Sequence, residues 1–251
     1  MRLTPEQRSA WQNWLLATSI PLVQLGNTDQ VLGVGSGTMI GHEGRRFIVT
    51  AGHVAKLDSK GWAIVVQQHF DGRLEFYKPH AFVHVGEFSR AEASLRTLDL
   101  CAAQVAPDLE TWYEHRTPRG LFDKRLHHVF DAGELAPPKP DQLFGFSGRV
   151  RTEKHGPRTF ASEITVLLGL TYARSDAEEH HFALPVPHPG HEAIRGTSGS
   201  PMCDFSRRLV GIVVGGNTNT NTVRGVAIQR VLPALYFLGA HIPVQAVIGE
   251  T

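Results

Sequence analysis

Cysteine is nearly missing from this chain of 251 residues, which has only Cys101 and Cys203. Two thiols cannot build a disulfide framework, which excludes the disulfide-dense secreted classes and fits a reducing compartment. A single Cys101–Cys203 bridge is the remaining alternative. An excess of charge of one sign is missing too: 25 basic and 24 acidic side chains leave a formal net charge of +1. That balance offers no broad electrostatic footprint for nucleic acid or a membrane surface, so neither is expected as a partner. Long apolar runs are the third absence. The first residues hold only short pieces such as WLLA, with Glu6, Gln7 and Gln12 among them, so neither a signal core nor a spanning helix is predicted. The chain is therefore expected to stay in the cytoplasm.

What is present is ordinary globular material. Hydrophobic residues make up 41% and charged residues 20%, and the length is ample for a sizeable core. Thr4, Pro5, Glu6 and Gln7 read as an N-cap, a proline in the first turn and a polar start, predicting a helix over residues 5–17 that docks Trp11, Trp14 and Leu15. Short apolar and β-branched runs broken by Gly, Pro and Asp follow as far as Val105, among them RRFIVTAG, WAIVVQQHF and DLCAAQV. Residues 107–142 change to mixed charge at helical spacing and read as a connector. Strand signals return from QLFGFSG to RGVAIQ, and IQRVLPALYFLG closes the pattern as a helix despite Pro233. The expected fold is all-β, with two packed antiparallel six-stranded barrels in one domain spanning residues 1–251. Residues 1–19 supply an N-terminal helix, 20–106 the first barrel, 107–142 a partly helical connector, and 143–240 the second barrel with a C-terminal helix.

Acyl transfer by a hydroxyl needs a base to take its proton and a carboxylate to hold that base in the right tautomer. His53 follows an apolar strand in FIVTAGHVAK, Asp99 heads another in DLCAAQV, and Ser198 lies in the small-residue run GTSGSP. Taken singly, these read as an interior histidine, a strand cap and a glycine-rich turn.

Together, TAGHV at 50–54, DLCAAQV at 99–105 and GTSGSP at 196–201, in that order, resemble the trypsin-like (chymotrypsin-fold) serine peptidases of the intracellular bacterial type. VGSGTMIG at 34–41 is similar to the strand that precedes the histidine in that family. The resemblance implies a serine endopeptidase with Ser198 as nucleophile, His53 as general base and Asp99 as its orienting carboxylate, with the amides of Gly196 and Ser198 as the oxyanion hole. It implies protein or peptide substrates and no cofactor. It also implies a primary pocket with Glu192 at its base and Val214, Gly215, Gly216 and Gly225 as walls, and hence a preference for Arg or Lys, because a buried carboxylate needs a cationic partner. Glu192 pairing with Arg195 is the competing arrangement.

Two positions depart from the family. Thr197 stands where secreted trypsins carry the aspartate that receives a new N-terminal amine, so that activation switch lacks its acceptor; Ser200 replaces a glycine. Proteins of this kind are often effectors switched on by a partner, for instance in bacterial defence, and the connector and N-terminal helix are the places to expect such contacts. The different-class alternative is a catalytically silent fold used as a peptide- or protein-binding module. Among the 14 histidines, His180, His181, His188 and His191 lack a recognised zinc spacing and read as surface or loop residues, and no metal is expected. His127 and His128 read as solvated.

Overall fold

The structure, a computed structural model, describes residues 3–56, 61–69, 73–89, 93–116, 120, 122–154, 160–176, 178–241 and 247–249. Helix α1 (Pro5–Leu16) begins as its sequence requires: the Thr4 hydroxyl accepts the Gln7 N–H at 3.2 Å, and the Gln7 side chain accepts the Thr4 N–H at 3.0 Å. This reciprocal cap satisfies two amides that a helix start leaves orphaned. Its buried face, Trp11 and Leu15, docks on the seam between the two lobes.

The first lobe is built from β1 (Ile20–Leu25), β2 (Val31–His42), β3 (Arg45–Thr50), β4 (Trp62–Gln68), β5 (Leu74–Lys78), β6 (Val83–Ser89) and β7 (Ser94–Val105). They lie in one antiparallel sheet in the order β5-β4-β1-β2-β3-β7-β6, and an eighth strand, β16 (Val247–Gly249), is added beside β5. Three residues are too few for a period to show in sequence, so this return of the chain end was not expected. Leu22, Met39, Ile48, Ile64, Tyr77 and Ala103, from six of the strands, fill one core, so the sheet curls round on itself.

The second lobe is a closed six-stranded barrel in the order β10-β11-β12-β15-β14-β13. Its strands are β10 (Leu143–Lys154), β11 (Phe160–Ser175), β12 (Glu179–Ala183), β13 (Pro201–Asp204), β14 (Leu209–Asn217) and β15 (Thr222–Ala227). Phe144, Phe146, Phe182 and Met202 pack inside it.

The near-continuous apolar strands have a reason. In β3, Ile48 points into the first lobe while Phe47 and Val49 point into the seam; in β14, Val210 and Val213 face the barrel interior while Ile212 and Val214 face the seam. A strand covered on both faces cannot alternate polar with apolar. The seam core also takes Trp11 and Leu15 from α1, and Val231, Leu235 and Leu238 from α3 (Val231–His241), the three apolar positions of one helical face.

The connector differs from its helical expectation. It forms a hairpin, β8 (Trp112–Arg116) with β9 (Phe122–Leu126), and among its described residues the helical content is one 3-10 turn at Ala132–Glu134. The run fits strand pairing as well, Trp112 opposite Leu126 and Glu114 opposite Lys124, and short runs leave the two periods ambiguous. His127, expected in solvent, is buried at 8% exposure beside the Tyr113 ring; burial, with the Arg149 charge adding, pushes its pKa down to about 3. His180 and His181, expected at the surface, are also buried on β12, because barrel closure covers both faces of that strand. The two cysteines are free and buried, and burial pushes the Cys101 thiol up to about 12.

Candidate active site at the lobe seam

The TAGH turn that follows β3 brings its backbone against the middle of β7, where Asp99 lies rather than at the strand's head as its sequence suggests. A Cβ on Gly52 would come within 3.0 Å of Leu100 N and 3.2 Å of Asp99 Oδ1, so the absence of a side chain sets this approach. One carboxylate then holds two parts of the same residue: Asp99 Oδ1 accepts the His53 backbone N–H at 2.8 Å, and Oδ2 meets Nδ1 of the ring at 2.7 Å. Burial pushes the Asp99 carboxyl up, but the His53 hydrogen bonds and the charges of His53 and Arg224 outweigh it, leaving the group below the usual aspartate range. Asp99 is thus an anion at neutral pH. With Nδ1 occupied, Nε2 is the ring nitrogen left for chemistry.

Ser198 arrives from the other lobe. The chain runs through α2 (His191–Ile194), then turns: Arg195 has φ −62° and ψ 125°, Gly196 has φ +100°, and Thr197 N–H donates to Ile194 O at 3.1 Å. These values define a type II turn, whose third position demands positive φ. A Cβ on Gly196 would collide with the Arg149 carbonyl oxygen of β10, and one on Gly199 (φ +93°) would overlap the Ser36 carbonyl oxygen and Thr50 Oγ1. The GTSG run is therefore fixed by backbone geometry at both glycines.

Among the described residues, neither the Gly196 nor the Ser198 N–H donates to a protein acceptor. Thr197 is buried, and its N–H and hydroxyl both donate to Ile194 O; the position that departs from the secreted pattern is satisfied inside its own turn.

Ser36 of β2, inside the VGSGTMIG run, ties the serine loop to the first lobe. Its Oγ donates to Gly196 O at 2.8 Å and its N–H to Ser198 O at 3.1 Å, while Thr38 Oγ1 donates to Gly199 O at 3.0 Å. The run reads in sequence as a strand, and nothing local marks its hydroxyls as braces of a loop 160 residues away.

Ser198, His53 and Gly196 line one cleft of about 910 Å³, together with Val31–Val34, Val54, Lys56 and Trp62 of the first lobe and Pro189, Glu192, Ala193 and Arg195 of the second. Ser198, Glu192 and Arg195 also border a smaller cavity of about 180 Å³ with Ile194, Thr197, Gly215 and Gly216.

The structure divides the predicted pocket residues. Glu192, Gly215 and Gly216 do meet Ser198 there. Val214 is buried in the seam core, and Gly225 pairs with Val213 inside the barrel ladder, so neither is a wall of that cavity. Glu192 is not at a buried base: its side chain is 86% exposed and faces Arg195 at 3.6 Å, the competing arrangement. A solvated, already paired carboxylate gives no electrostatic reason to select Arg or Lys. Behind one of its walls, Gly216, lies His188, whose Nε2 is buried and has no hydrogen-bond partner among the described residues, while Nδ1 accepts the Gly190 N–H at 3.0 Å. Nothing in the sequence marks His188 for this place.

Asp176, Glu179 and His181 bring potential metal-ligating atoms within 4.8 Å of one another. They are engaged with the protein: Asp176 with His181 and Glu179 with Arg224, each at 2.9 Å.

No family model matches the sequence, and no curated protein matches it. The fold does have relatives among solved structures. Over 96% of this chain and 68% of the other, the structure is similar to the serine endoprotease from Yersinia pestis, with a TM-score of 0.55 and 11% identity. It is also similar to Rv3671c from M. tuberculosis H37Rv in an inactive form (TM-score 0.48, 16% identity, 98% and 99% of the two chains) and to a human pathogenic astrovirus serine protease (0.43, 13%, 84% and 89%). With its two β lobes and the seam between them, the chain shares the two-lobed, chymotrypsin-like β fold of the Yersinia pestis structure.

Proposed function

We propose that the protein is a serine endopeptidase that cleaves protein or peptide substrates through an acyl-enzyme on Ser198. The observation that carries this reading is the convergence, at one cleft, of an Asp99-held His53, Ser198 and two amides with no acceptor among the described residues. His53 Nε2 takes the Ser198 proton as Oγ attacks the scissile carbonyl. Asp99 keeps the proton on Nδ1 and stabilises the imidazolium that forms. The Gly196 and Ser198 N–H groups receive the developing oxyanion, each such donor typically contributing about 2.7–4 kcal/mol to transition-state stabilisation. His53 then returns the proton to the leaving amine, and water repeats the sequence on the acyl-enzyme.

In a type II turn the peptide between Arg195 and Gly196 is rotated by half a turn relative to type I. Gly196 already holds the positive φ of the type II form, so this reading needs no partner to reset the turn before catalysis. The test is incubation of wild type and Ser198→Ala with a diverse peptide mixture, reading new termini by mass spectrometry. Cleavage by the wild type alone is expected. Equal cleavage by both proteins refutes the assignment, and cleavage by neither, with both folded, favours a binding module.

A further inference from the structure

His53 is not the only base that acts on Asp99. The Asp99 carboxylate is half-buried, and burial pushes such a group toward its neutral form unless positive charge opposes it. His53 supplies hydrogen bonds, but in the neutral form that takes the Ser198 proton it supplies no charge. Arg224 of β15 does: its charge acts on Asp99 in the lowering direction, and a guanidinium stays ionised at every working pH. β15 lies against β7, the strand of Asp99, across the seam. Arg224 is firmly placed there. It pairs with Gly215 in the β14–β15 ladder, and its guanidinium lies over that bare backbone, with Nη2 3.3 Å from where a Cβ on Gly215 would stand. Nη1 donates to Glu179 at 2.9 Å, and the neighbouring Glu178 pairs with Arg96 of β7, also at 2.9 Å. The start of β12 is thus tied both to Arg224 and to the strand that carries Asp99.

Resting on the serine endopeptidase reading, we propose that Arg224 is a positioning residue for the Asp99–His53 pair: it holds Asp99 as an anion while His53 is neutral, and Glu179 sets how much of its charge Asp99 feels. The sign of the effect follows from the order of the charges. Asp99 favours a protonated His53 ring, and a cation beside Asp99 opposes that, so Arg224 keeps the free-base ring available to lower pH. Glu179, an anion beside Arg224, works the other way. The remaining ionisable groups around the pair, among the described residues, are held apart from it. The Cys101 thiol is neutral, pushed up to about 12, Arg96 is engaged by Glu178, and the His84 ring bonds to Ala55 O at 2.8 Å. Beside Glu179, Asp176 and His181 pair with each other. Lys56, farther along the His53 turn, is common to all the variants compared below.

The experiment compares wild type with Arg224→Gln, Arg224→Lys, Glu179→Gln and the double variant Arg224→Gln, Glu179→Gln. Two readouts are followed from about pH 4.5 to about pH 8.5. One is kcat/KM on a peptide the wild type cleaves, whose acid limb reports the essential base of the free enzyme. The other is the midpoint of the His53 ring signal in NMR, assigned by its loss in His53→Ala. Arg224→Gln should move limb and midpoint up by about 0.2–0.7 of a pH unit and Glu179→Gln down by a similar amount, the scale of a partly exposed ion pair. Arg224→Lys keeps the charge and should stay near wild type. The double variant should fall between the two single ones, and every shift should shrink in about 0.5 M salt. Shifts of the same sign in Arg224→Gln and Glu179→Gln, or no shift in either, are what a residue that merely docks β15 on β12 would give; they overturn the proposal and leave the peptidase standing. A rise in KM with limb and midpoint fixed makes Arg224 a substrate contact beside Gly215 and overturns it equally. Should Arg224→Gln fail to fold, the direction of the Glu179→Gln shift decides alone. Opposite midpoint shifts in a protein that cleaves no peptide uphold the charge arrangement and discard the peptidase.

Discussion

Gly196→Ala separates the chemistry of the serine loop from its folding. Residue 196 sits at φ +100°, a conformation that costs an L-residue roughly 1–2 kcal/mol, and the new Cβ would meet the Arg149 carbonyl oxygen. That oxygen cannot retreat easily, because Arg149 is paired with Ile164 in the β10–β11 ladder. The turn should yield instead, changing from type II to type I, which rotates the Arg195–Gly196 peptide and carries the residue 196 N–H away from Ser198. One oxyanion donor is then lost, a fall of about 10²–10³ in kcat. Phosphonylation of Ser198 by a fluorophosphonate should slow in parallel, since its transition state develops charge on the same oxygen position. Gly44→Ala is the control: φ is +72° there with nothing within 4 Å of a Cβ, so it carries backbone strain alone, and its kcat should match wild type. The measurements are kcat and KM on a cleaved peptide, the phosphonylation rate, and urea unfolding of all three proteins. A folded Gly196→Ala enzyme with kcat within threefold of wild type, or an equal kcat loss in Gly44→Ala, refutes the reasoning.

Two further outcomes test the supports of the site. Gly199→Ala adds an atom on top of the Ser36 carbonyl and Thr50 Oγ1, both buried at the seam, so the variant should fail to accumulate as folded protein, read by circular dichroism and gel filtration. His127 titrates at about 3 when folded against an ordinary 6.5. Between those pH values the unfolded chain binds a proton that the folded chain refuses, so stability should fall as pH drops below 6.5, by about 2 kcal/mol at pH 5. His127→Phe, which keeps a ring beside Tyr113 and cannot titrate, should flatten that slope in urea melts at pH 7 and pH 5; an unchanged slope removes His127 as the cause.

The elements most legible in the sequence were those whose causes are local. The Thr4–Gln7 cap, the apolar strands and the helical spacing of Val231, Leu235 and Leu238 are each written within a few residues. The motifs at His53 and Ser198 stand out in sequence because tight geometry restricts their neighbours to small residues, as Gly52, Gly196 and Gly199 show. What escaped is long-range. The buried states of His127, His180 and His181 depend on which segments cover them, and the hairpin at 112–126 is decided by pairing across a turn. Glu192 illustrates the same limit: its position before Ser198 could be counted in sequence, but α2 carries its side chain out to Arg195 and solvent. His188, which ends up against Gly216, has no local signal at all.

The placing of the site at the seam follows from how the two lobes are joined. His53 and Asp99 belong wholly to the first lobe, and the turn that bears Ser198 belongs to the second, so their alignment is only as good as the docking of one lobe on the other. That docking is polar at the site and apolar behind it. Ser36 and Thr38 donate to the carbonyls of Gly196 and Gly199 across the seam, and Ser19 meets Ser200 at 3.1 Å. Behind them, Trp11, Phe47, Val49, Ile212 and Leu235 form one continuous core drawn from both lobes and both terminal helices. Helix α1 is fastened to each side, with Leu15 O accepting the Ser147 hydroxyl of the second lobe at 2.6 Å and Ala17 O accepting His128 N–H of the connector at 2.7 Å. The directional bonds fix the register of the serine loop to within hydrogen-bond tolerance, whereas the apolar core supplies cohesion without choosing a register. Among the described residues, Thr197 bonds to Ile194 O and, through its own carbonyl, to Ser200 N–H, all within the serine loop. In a chain whose two cysteines are free, the threonine and serine hydroxyls of β2 align the lobes at the site, and the Arg96–Glu178 ion pair at 2.9 Å joins them farther out.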